Sequence, residues 1–131
     1  MLGQEEWAVY RRVRLDALRE APYAFGSTYA REKDRSEVEW RAAVSSRARF
    51  VAEARAAVVG TASGGDGDAT TTAALTAMWV DPRFRRQGVG EALLQRVIDW
   101  AREVGYDELL LWVVDGNHNA ERLYERNGFR R

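Results

Sequence analysis

The chain lacks cysteine altogether, and it has one histidine, His118, and one lysine, Lys33, among its 131 residues. The absence of cysteine excludes a disulfide framework, a thiolate zinc site and a cysteine nucleophile. A lone histidine argues against a histidine-based metal cluster, so we expect no bound metal. No apolar run approaches the roughly 18 residues of a membrane span, and the first residues lack the basic start of a signal peptide. These absences predict a cytoplasmic protein with no membrane partner.

Net charge is also missing, because 20 Lys and Arg residues balance 20 Asp and Glu residues. Such a chain has no overall field that would recruit nucleic acid or an anionic membrane, so neither partner is expected. Any anion site must therefore be local. The length is typical of one domain with one core, and we predict a single domain over residues 1–131.

Hydrophobic periodicity predicts two helices and two strands in the first half of the chain. These are an amphipathic helix over Glu5–Glu20, a second helix ending at about Ser45, and strands over Phe50–Ala54 and Ala56–Ala62. Ser36 and Glu39 have the spacing of a capping box, which marks the start of the second helix. The segment Ser63–Thr72 has the composition of turns and no periodicity, and it predicts a flexible surface loop.

The second half of the chain predicts two strands, each followed by a helix. These are a buried strand over Ala73–Val80, a helix from Gly88 to Gly105, a strand over Leu109–Val114 and a helix over Asn119–Arg126. The near-continuous apolar run of the second strand is typical of a buried parallel strand. Gly105 and Gly128 stand where left-handed helix caps belong.

The loop before the long helix predicts an anion-binding site. The first turn of a helix presents unpaired N–H groups and the positive end of the macrodipole. Gly88 and Gly90 would let a pyrophosphate approach the backbone, and Arg85 and Arg86 would add charge. The same glycines could instead let the helix pack closely against the strand. The segment contains neither a nucleotide P-loop nor a G-x-G-x-x-G pattern.

Two ordered motifs resemble those of the GCN5-related N-acetyltransferases. They are Arg85-x-x-Gly88-x-Gly90, similar to the acyl-CoA loop of that family, and Asn117-x-x-Ala120-x-x-Leu123-Tyr124-Glu125-Arg126-Asn127-Gly128-Phe129, similar to its second motif. With the preceding strand, the resemblance spans about residues 73–129. It implies an α/β fold with a mixed central β-sheet flanked by helices, of the acyl-CoA N-acyltransferase type, here lacking the first and last strands.

The resemblance implies acetyl-CoA as the co-substrate and no metal. The residues implied to hold its pyrophosphate are Arg85, Arg86, Gln87, Gly88, Val89, Gly90 and Glu91. The strand residues Met78, Trp79 and Val80 would pair with the pantetheine arm, and a backbone N–H there would polarise the thioester carbonyl. Asn117 would contact the pantetheine amides.

Tyr124 is the catalytic residue that the resemblance implies. A phenol, with an ordinary pKa of about 10, would protonate the departing thiolate. Spacing alone favours a packed helix tyrosine, whereas the Leu123-Tyr124 pair within the second motif favours the catalytic role. Because the chain has no cysteine nucleophile, the resemblance implies direct transfer of acetyl to an amine within one ternary complex.

One carboxylate of the family is missing. In the branch that acetylates ribosomal-protein N-termini a Glu lies five residues before the motif Asn, and this chain has Trp112 there. We expect either a water relay to a distant carboxylate such as Glu32, Glu53 or Asp115, or an amine that arrives neutral. Trp112 itself is expected in the core, or as an apolar wall beside the acceptor.

The acceptor stays open between a small-molecule amine and a protein amine, and two other functions fit the sequence. A chain that kept the pyrophosphate loop without acceptor chemistry would be a non-catalytic acyl-CoA binding module. A chain with an open sheet edge would be an interaction protein, for example a homodimer that pairs through that edge.

Overall fold

The computed structural model describes residues 1–113 and 116–130 and has an α/β fold. Its helices are α1 (Trp7–Glu20), α2 (Tyr29–Glu32), α3 (Glu37–Ser45), α4 (Val89–Val104) and α5 (His118–Arg126), and its strands are β1 (Ala48–Ala54), β2 (Ala57–Asp66), β3 (Thr72–Val80) and β4 (Glu108–Leu110). Short 3-10 turns occupy Gln4–Glu6, Pro22–Ala24 and Pro82–Phe84. The predicted class, a mixed sheet flanked by helices, is confirmed.

The described strands form one sheet in the order β1-β2-β3-β4. β1 pairs antiparallel with β2, and β2 pairs antiparallel with β3. β4 lies parallel to β3, as the apolar run predicted, and Thr72–Ala74 pair with Glu108–Leu110. Within the described part of the chain, β1 and β4 are therefore the outer strands.

Each face of the sheet carries its own hydrophobic cluster. On one face α1 and α3 bury Tyr10 and Trp40, whose rings meet edge to face with 5.9 Å between their centroids. On the other face α4 packs Leu94 and Val97 onto the sheet beside Phe50. Burying side chains of this size stabilises the fold by about 1.5–3 kcal/mol each. The two clusters fix α4 on one side of the sheet and α1 with α3 on the other.

The predicted helix ends agree with the structure. The Ser36 hydroxyl accepts a hydrogen bond from the Glu39 backbone N–H at 3.2 Å, and the Glu39 carboxylate accepts one from the Ser36 backbone N–H at 3.3 Å. This reciprocal pair is the predicted capping box. At the other ends, Gly105 (φ +101°) follows α4 and Gly128 (φ +92°) follows α5, both left-handed as expected.

The prediction of a flexible loop over Ser63–Thr72 is wrong at both ends, and only residues 67–71 lie outside the strands. β2 continues to Asp66 and β3 begins at Thr72, so the connection between them is short. Gly64 and Gly65 are strand residues, and a Cβ added to Gly64 would lie 2.5 Å from the Trp100 ring. Glycine stands there because the indole lies directly on the strand backbone, a contact that local composition does not reveal.

The predicted strand over Leu109–Val114 is also too long. β4 ends at Leu110, because pairing with β3 stops at Ala74; Val114 lies outside the described residues. Trp112 is 72% exposed, so its expected place in the core is wrong. Its position fits the other expectation, an apolar wall, because Trp112 lines the groove described next.

Candidate active site

A groove of about 970 Å³ opens where β3 and the chain after β4 separate. One wall is the second half of β3, from Leu75 to Met78, and the facing wall includes Trp112, Asn117 and Tyr124. The groove continues over the sheet towards α1 and α3. The predicted site residues Met78, Asn117 and Tyr124 thus meet in one cleft.

A bulge shapes the β3 wall of the groove. Thr61 pairs with Trp79 and Ser63 with Thr76, so β3 has one residue more than β2 over this stretch. Ala77, within the bulge, has φ +54°, a left-handed value that is unusual for a residue other than glycine. A β-bulge locally disrupts the ladder and re-aims the strand. Here it lies on the wall where the thioester was expected.

The loop before α4 has the backbone geometry expected of an anion site. Gly88 is the N-cap of α4 with φ +85°, and Arg86 is left-handed as well at +63°. The first intrahelical bond of α4 runs from the Ala92 N–H to the Gly88 carbonyl at 3.0 Å. The N–H groups of Val89, Gly90 and Glu91 precede it, and such groups have no partner within a helix.

Neither helix packing nor backbone conformation requires a glycine at position 90. A Cβ added there would lie 3.5 Å from the Met78 methyl and 3.6 Å from a Leu123 methyl, which is ordinary van der Waals contact. At position 88 the positive φ favours glycine, but packing does not require it, because no atom lies within 4 Å of an added Cβ. The alternative that both glycines serve close packing of α4 is therefore not supported. A bare backbone at Gly90 fits a ligand that approaches the N–H groups closely.

The two arginines of the loop differ in their partners. Arg85 donates to the Val80 carbonyl at 2.9 Å and to the Glu20 carboxylate at 2.7 Å, and Trp79 Nε1 donates to that same carboxylate at 2.8 Å. The Arg85 charge is thus largely offset by Glu20. Arg86 is exposed and forms no ion pair or side-chain hydrogen bond within residues 1–113 and 116–130.

Tyr124 and Asn117 are held on α5. The Tyr124 ring meets Phe129 edge to face with 5.9 Å between centroids, and burial raises the pKa of its phenol above the ordinary value. Asn117 caps α5: its side-chain oxygen accepts a hydrogen bond from the Ala120 N–H at 3.2 Å. Tyr124 is therefore a protonated phenol facing the groove, which suits a proton donor.

The carboxylates that the sequence suggested as bases lie elsewhere or are engaged. Glu32 is 1% exposed and receives two hydrogen bonds from Arg14, both 3.0 Å. Burial raises the pKa of Glu32, but the hydrogen bonds from Arg14 and the charges of Arg14 and Arg35 contribute to a net pKa below its ordinary value. Glu53 is exposed near the β1–β2 turn, away from the groove, and Asp115 lies outside the described residues.

The carboxylate on the groove is Glu39, which sequence reasoning had used only for the capping box. The structure also places four arginines on the groove, namely Arg14, Arg35, Arg47 and Arg49. Of these four arginines, only Arg49 could be located from the sequence, because side chains alternate along β1 and Arg49 therefore lies on the face opposite Phe50.

Two wider findings concern the whole of the described chain. Among residues 1–113 and 116–130, no set of three or more His, Cys, Asp or Glu side chains is arranged to hold a metal ion. Of the helices within those same ranges, none combines the length and the apolar character that crossing a membrane requires.

Curated relatives match part of the chain. It is 40% identical over 52 residues to an uncharacterized N-acetyltransferase of Methanocaldococcus jannaschii, covering 40% of this chain and 23% of that protein. It is 46% identical over 50 residues to the ribosomal protein bS18-alanine N-acetyltransferase of Escherichia coli, covering 38% of this chain and 34% of that protein. The matches thus span about a quarter to a third of these relatives.

Solved structures match the whole fold. An N-acetyltransferase from Staphylococcus aureus superimposes with a TM-score of 0.77 at 23% identity, over 98% of this chain and 80% of that one. An aminoglycoside N-acetyltransferase in complex with CoA gives 0.71 at 19% identity, over 99% and 85%. The family model described as the acetyltransferase (GNAT) family matches residues 11–129. The chain therefore belongs to the acetyltransferase (GNAT) family.

Proposed function

We propose that the protein is an N-acetyltransferase that moves the acetyl group of acetyl-CoA directly to a primary amine. The observation that carries this proposal is Gly90, a glycine that neither φ nor packing explains, in a first helical turn of unpaired N–H groups. An anion pressed against the backbone accounts for it, and the CoA pyrophosphate is the anion that the family binds. The groove beside β3 then accommodates the rest of the molecule.

The binding roles are those that the family resemblance implies. The N–H groups from Arg86 to Glu91 hold the pyrophosphate, and the charge of Arg86 adds attraction. Arg85 acts indirectly, because it fastens the loop to Val80 and Glu20. The edge of β3 at Met78 pairs with the pantetheine arm, and the Asn117 side chain contacts its amides.

Bound acetyl-CoA supplies an acetyl group activated as a thioester. A backbone N–H beside the Ala77 bulge polarises the carbonyl, a type of interaction whose removal costs about 2.7–4 kcal/mol of transition-state stabilisation in other enzymes. The amine nitrogen forms the new bond to the carbonyl carbon as the bond from carbon to sulfur breaks. The Tyr124 phenol gives its proton to the departing thiolate.

The amine must lose a proton, and Glu39 is the base we propose. It is the carboxylate that lines the groove among the described residues, and its capping hydrogen bonds to Ser36 fix its position. Because it sits on α3, across the sheet from Tyr124, a water relay carries the proton to it. Glu32 is unsuited to this role because its carboxylate is bound to Arg14.

The acceptor is an amine on a small molecule or a protein. The relatives differ on this point, since one acts on an alanine of ribosomal protein bS18 and others on aminoglycosides. A non-catalytic acyl-CoA binding module is the alternative function, because it needs only the loop and the β3 wall.

The test is calorimetric titration of acetyl-CoA into the native protein and a Gly90→Ala variant. Alanine fits sterically and favours helix, so we expect the variant to be as stable as the native chain or up to about 1 kcal/mol more stable. We expect micromolar binding by the native protein and at least tenfold weaker binding by the variant. A folded native chain that does not bind would refute the proposal. Binding without acetylation of any amine would leave the binding module.

A further inference from the structure

A buried arginine without a carboxylate partner lies beside the proposed acceptor site. Arg49 on β1 is 9% exposed, and its guanidinium donates to the Ala43 carbonyl, Ser46 Oγ and Ser63 Oγ at 2.8–3.2 Å. Its plane lies over the Tyr10 ring, 4.8 Å from the centroid. Within the described ranges it forms no ion pair. Four of its five N–H groups are used, which leaves one free.

The surroundings of Arg49 compensate its charge incompletely. The Ala43 carbonyl belongs to the last turn of α3, where the helix end offers about half a negative charge. Burial lowers the pKa of Arg49, which is the direction expected of an under-compensated buried cation. Arg47, nearby on the same groove, is exposed and has no ion pair among residues 1–113 and 116–130. This end of the groove therefore attracts an anion.

The strand register places this cation close to the reaction centre. Arg49 pairs with Ser63 on β2, and Ser63 pairs with Thr76 on β3, so the three residues form one row across the sheet. The guanidinium donates a hydrogen bond to Ser63 Oγ at 2.8 Å and so lies above β2. Neighbouring strands are about 4.8 Å apart, which puts the charge roughly one strand spacing from Thr76. The next residue is Ala77, in the bulge on the wall expected to face the thioester.

We propose that the acceptor amine carries a carboxylate, which binds Arg49 with help from Arg47, so that the substrate is a compact amino acid. This inference rests on the proposed acetyltransferase function. The distance suits a carboxylate held a few bonds from the reacting nitrogen. Glu39 on the same groove attracts the ammonium end and repels a doubly charged phosphate. The groove thus offers both charges that a zwitterion needs.

The experiment compares matched acceptors that differ in one charge. The probes are L-leucine, L-methionine, L-glutamine and β-alanine, each beside its carboxamide, with spermidine as a cationic amine. We expect at least one amino acid to exceed its amide tenfold or more in kcat/KM, mainly through KM. Amides used equally well, or spermidine preferred, would overturn the proposal and leave the acetyltransferase function intact.

Variants assign the preference to particular side chains. Arg49→Gln should lower the ratio of kcat/KM for the acid to kcat/KM for the amide to about one. Arg49→Lys should keep part of the native ratio, and Arg47→Gln should reduce the ratio severalfold. Arg41→Gln, which breaks an exposed pair with Glu37 on the same helix, is the control and should leave the ratio unchanged. A merely structural role of Arg49 would lower both rates and keep their ratio. If Arg49→Gln does not fold, the native ratio and Arg47→Gln decide.

A binding measurement separates this inference from the proposed function. N-acetyl-L-leucine and N-acetyl-L-methionine, each beside its amide, are titrated into the native protein by calorimetry. If the chain acetylates no amine, binding of either acid without its amide would still support a carboxylate site at Arg49. Absence of binding by both acids would then overturn it.

Discussion

The guanidinium of Arg85 lies 2.7 Å from the carboxylate of Glu20, although 65 residues separate them in the sequence. The contact joins the end of α1 to the loop before α4, and the same carboxylate accepts the Trp79 indole N–H. The loop is thereby anchored to both neighbouring elements. The Arg85 charge is paired with a carboxylate of the protein, whereas, within the described residues, the charge of its neighbour Arg86 is not.

This difference predicts unequal effects of substitutions at the two adjacent arginines on acetyl-CoA binding. Arg86→Gln should weaken binding by about 1 kcal/mol, roughly fivefold, and should flatten its dependence on salt, because an uncompensated charge is lost. The Arg85→Gln, Glu20→Gln double variant should weaken binding while leaving the salt dependence unchanged, because it removes both charges of the pair and keeps the net charge. Calorimetric titrations between about 50 and 300 mM salt measure both slopes. A flatter slope for this double variant would show that Arg85 contacts the phosphates directly.

Tyr124→Phe should reduce kcat by about 10²–10⁴-fold and leave acetyl-CoA affinity within about twofold, because only the proton donor is removed. Burial raises the pKa of Tyr124, so deprotonation of this phenol should not lower the native rate at any pH below about 10. Steady-state rates across the pH range check both points. Tyr106→Phe is the control, since that phenol binds Asp66 on the other side of the molecule. An unchanged kcat would assign Tyr124 to packing.

Glu32→Gln should destabilise the fold by about 3–5 kcal/mol at neutral pH, because it leaves Arg14 buried without its partner. The folded-state pKa of Glu32 is lowered, so its stabilisation is complete above the unfolded value of about 4.3 and is lost as the pH falls through the folded value. The native and variant proteins should therefore converge in acid. Urea unfolding at several pH values measures this. Glu37→Gln, in an exposed pair with Arg41, should cost less than about 1 kcal/mol.

Gly64→Ala should destabilise the protein by about 1–3 kcal/mol, because the new methyl group would lie 2.5 Å from the Trp100 ring. Combining it with Trp100→Leu should recover part of that loss, since the ring that clashes is gone. Thermal unfolding of the two single variants and the double variant gives the coupling. If the losses of stability in the two single variants simply add in the double variant, the methyl group added at position 64 and the Trp100 ring do not clash.

The sequence predicted best those features that depend on neighbouring residues. The capping box at Ser36 and the left-handed glycines at Gly105 and Gly128 each report on a single turn of chain, and the structure has all three. The family motifs placed Tyr124 and Asn117, and the structure brings them to one groove. Their roles in binding and catalysis stay predictions until the variants are measured.

What the sequence did not reveal depends on contacts between distant segments. Ser63–Asp66 has the composition of a loop and becomes a strand because Trp100, on another element, covers its backbone. Trp112 is a large apolar residue of the kind expected in a core, and it is exposed because β4 ends two residues earlier. The burial of Arg49 could not be predicted from the sequence, since its partners on α3 and β2 come together only in the folded sheet.

The brief pairing of β4 makes the groove adjustable. β4 joins β3 through three residue pairs, whereas β2 is bonded along its length on both sides. Segments with few backbone bonds open locally at a small fraction of the global unfolding free energy. Amide protons of Glu108–Leu110 should therefore exchange with deuterium before those of β2, and one wall of the cleft can move outward for a bulky acceptor while the other wall stays fixed.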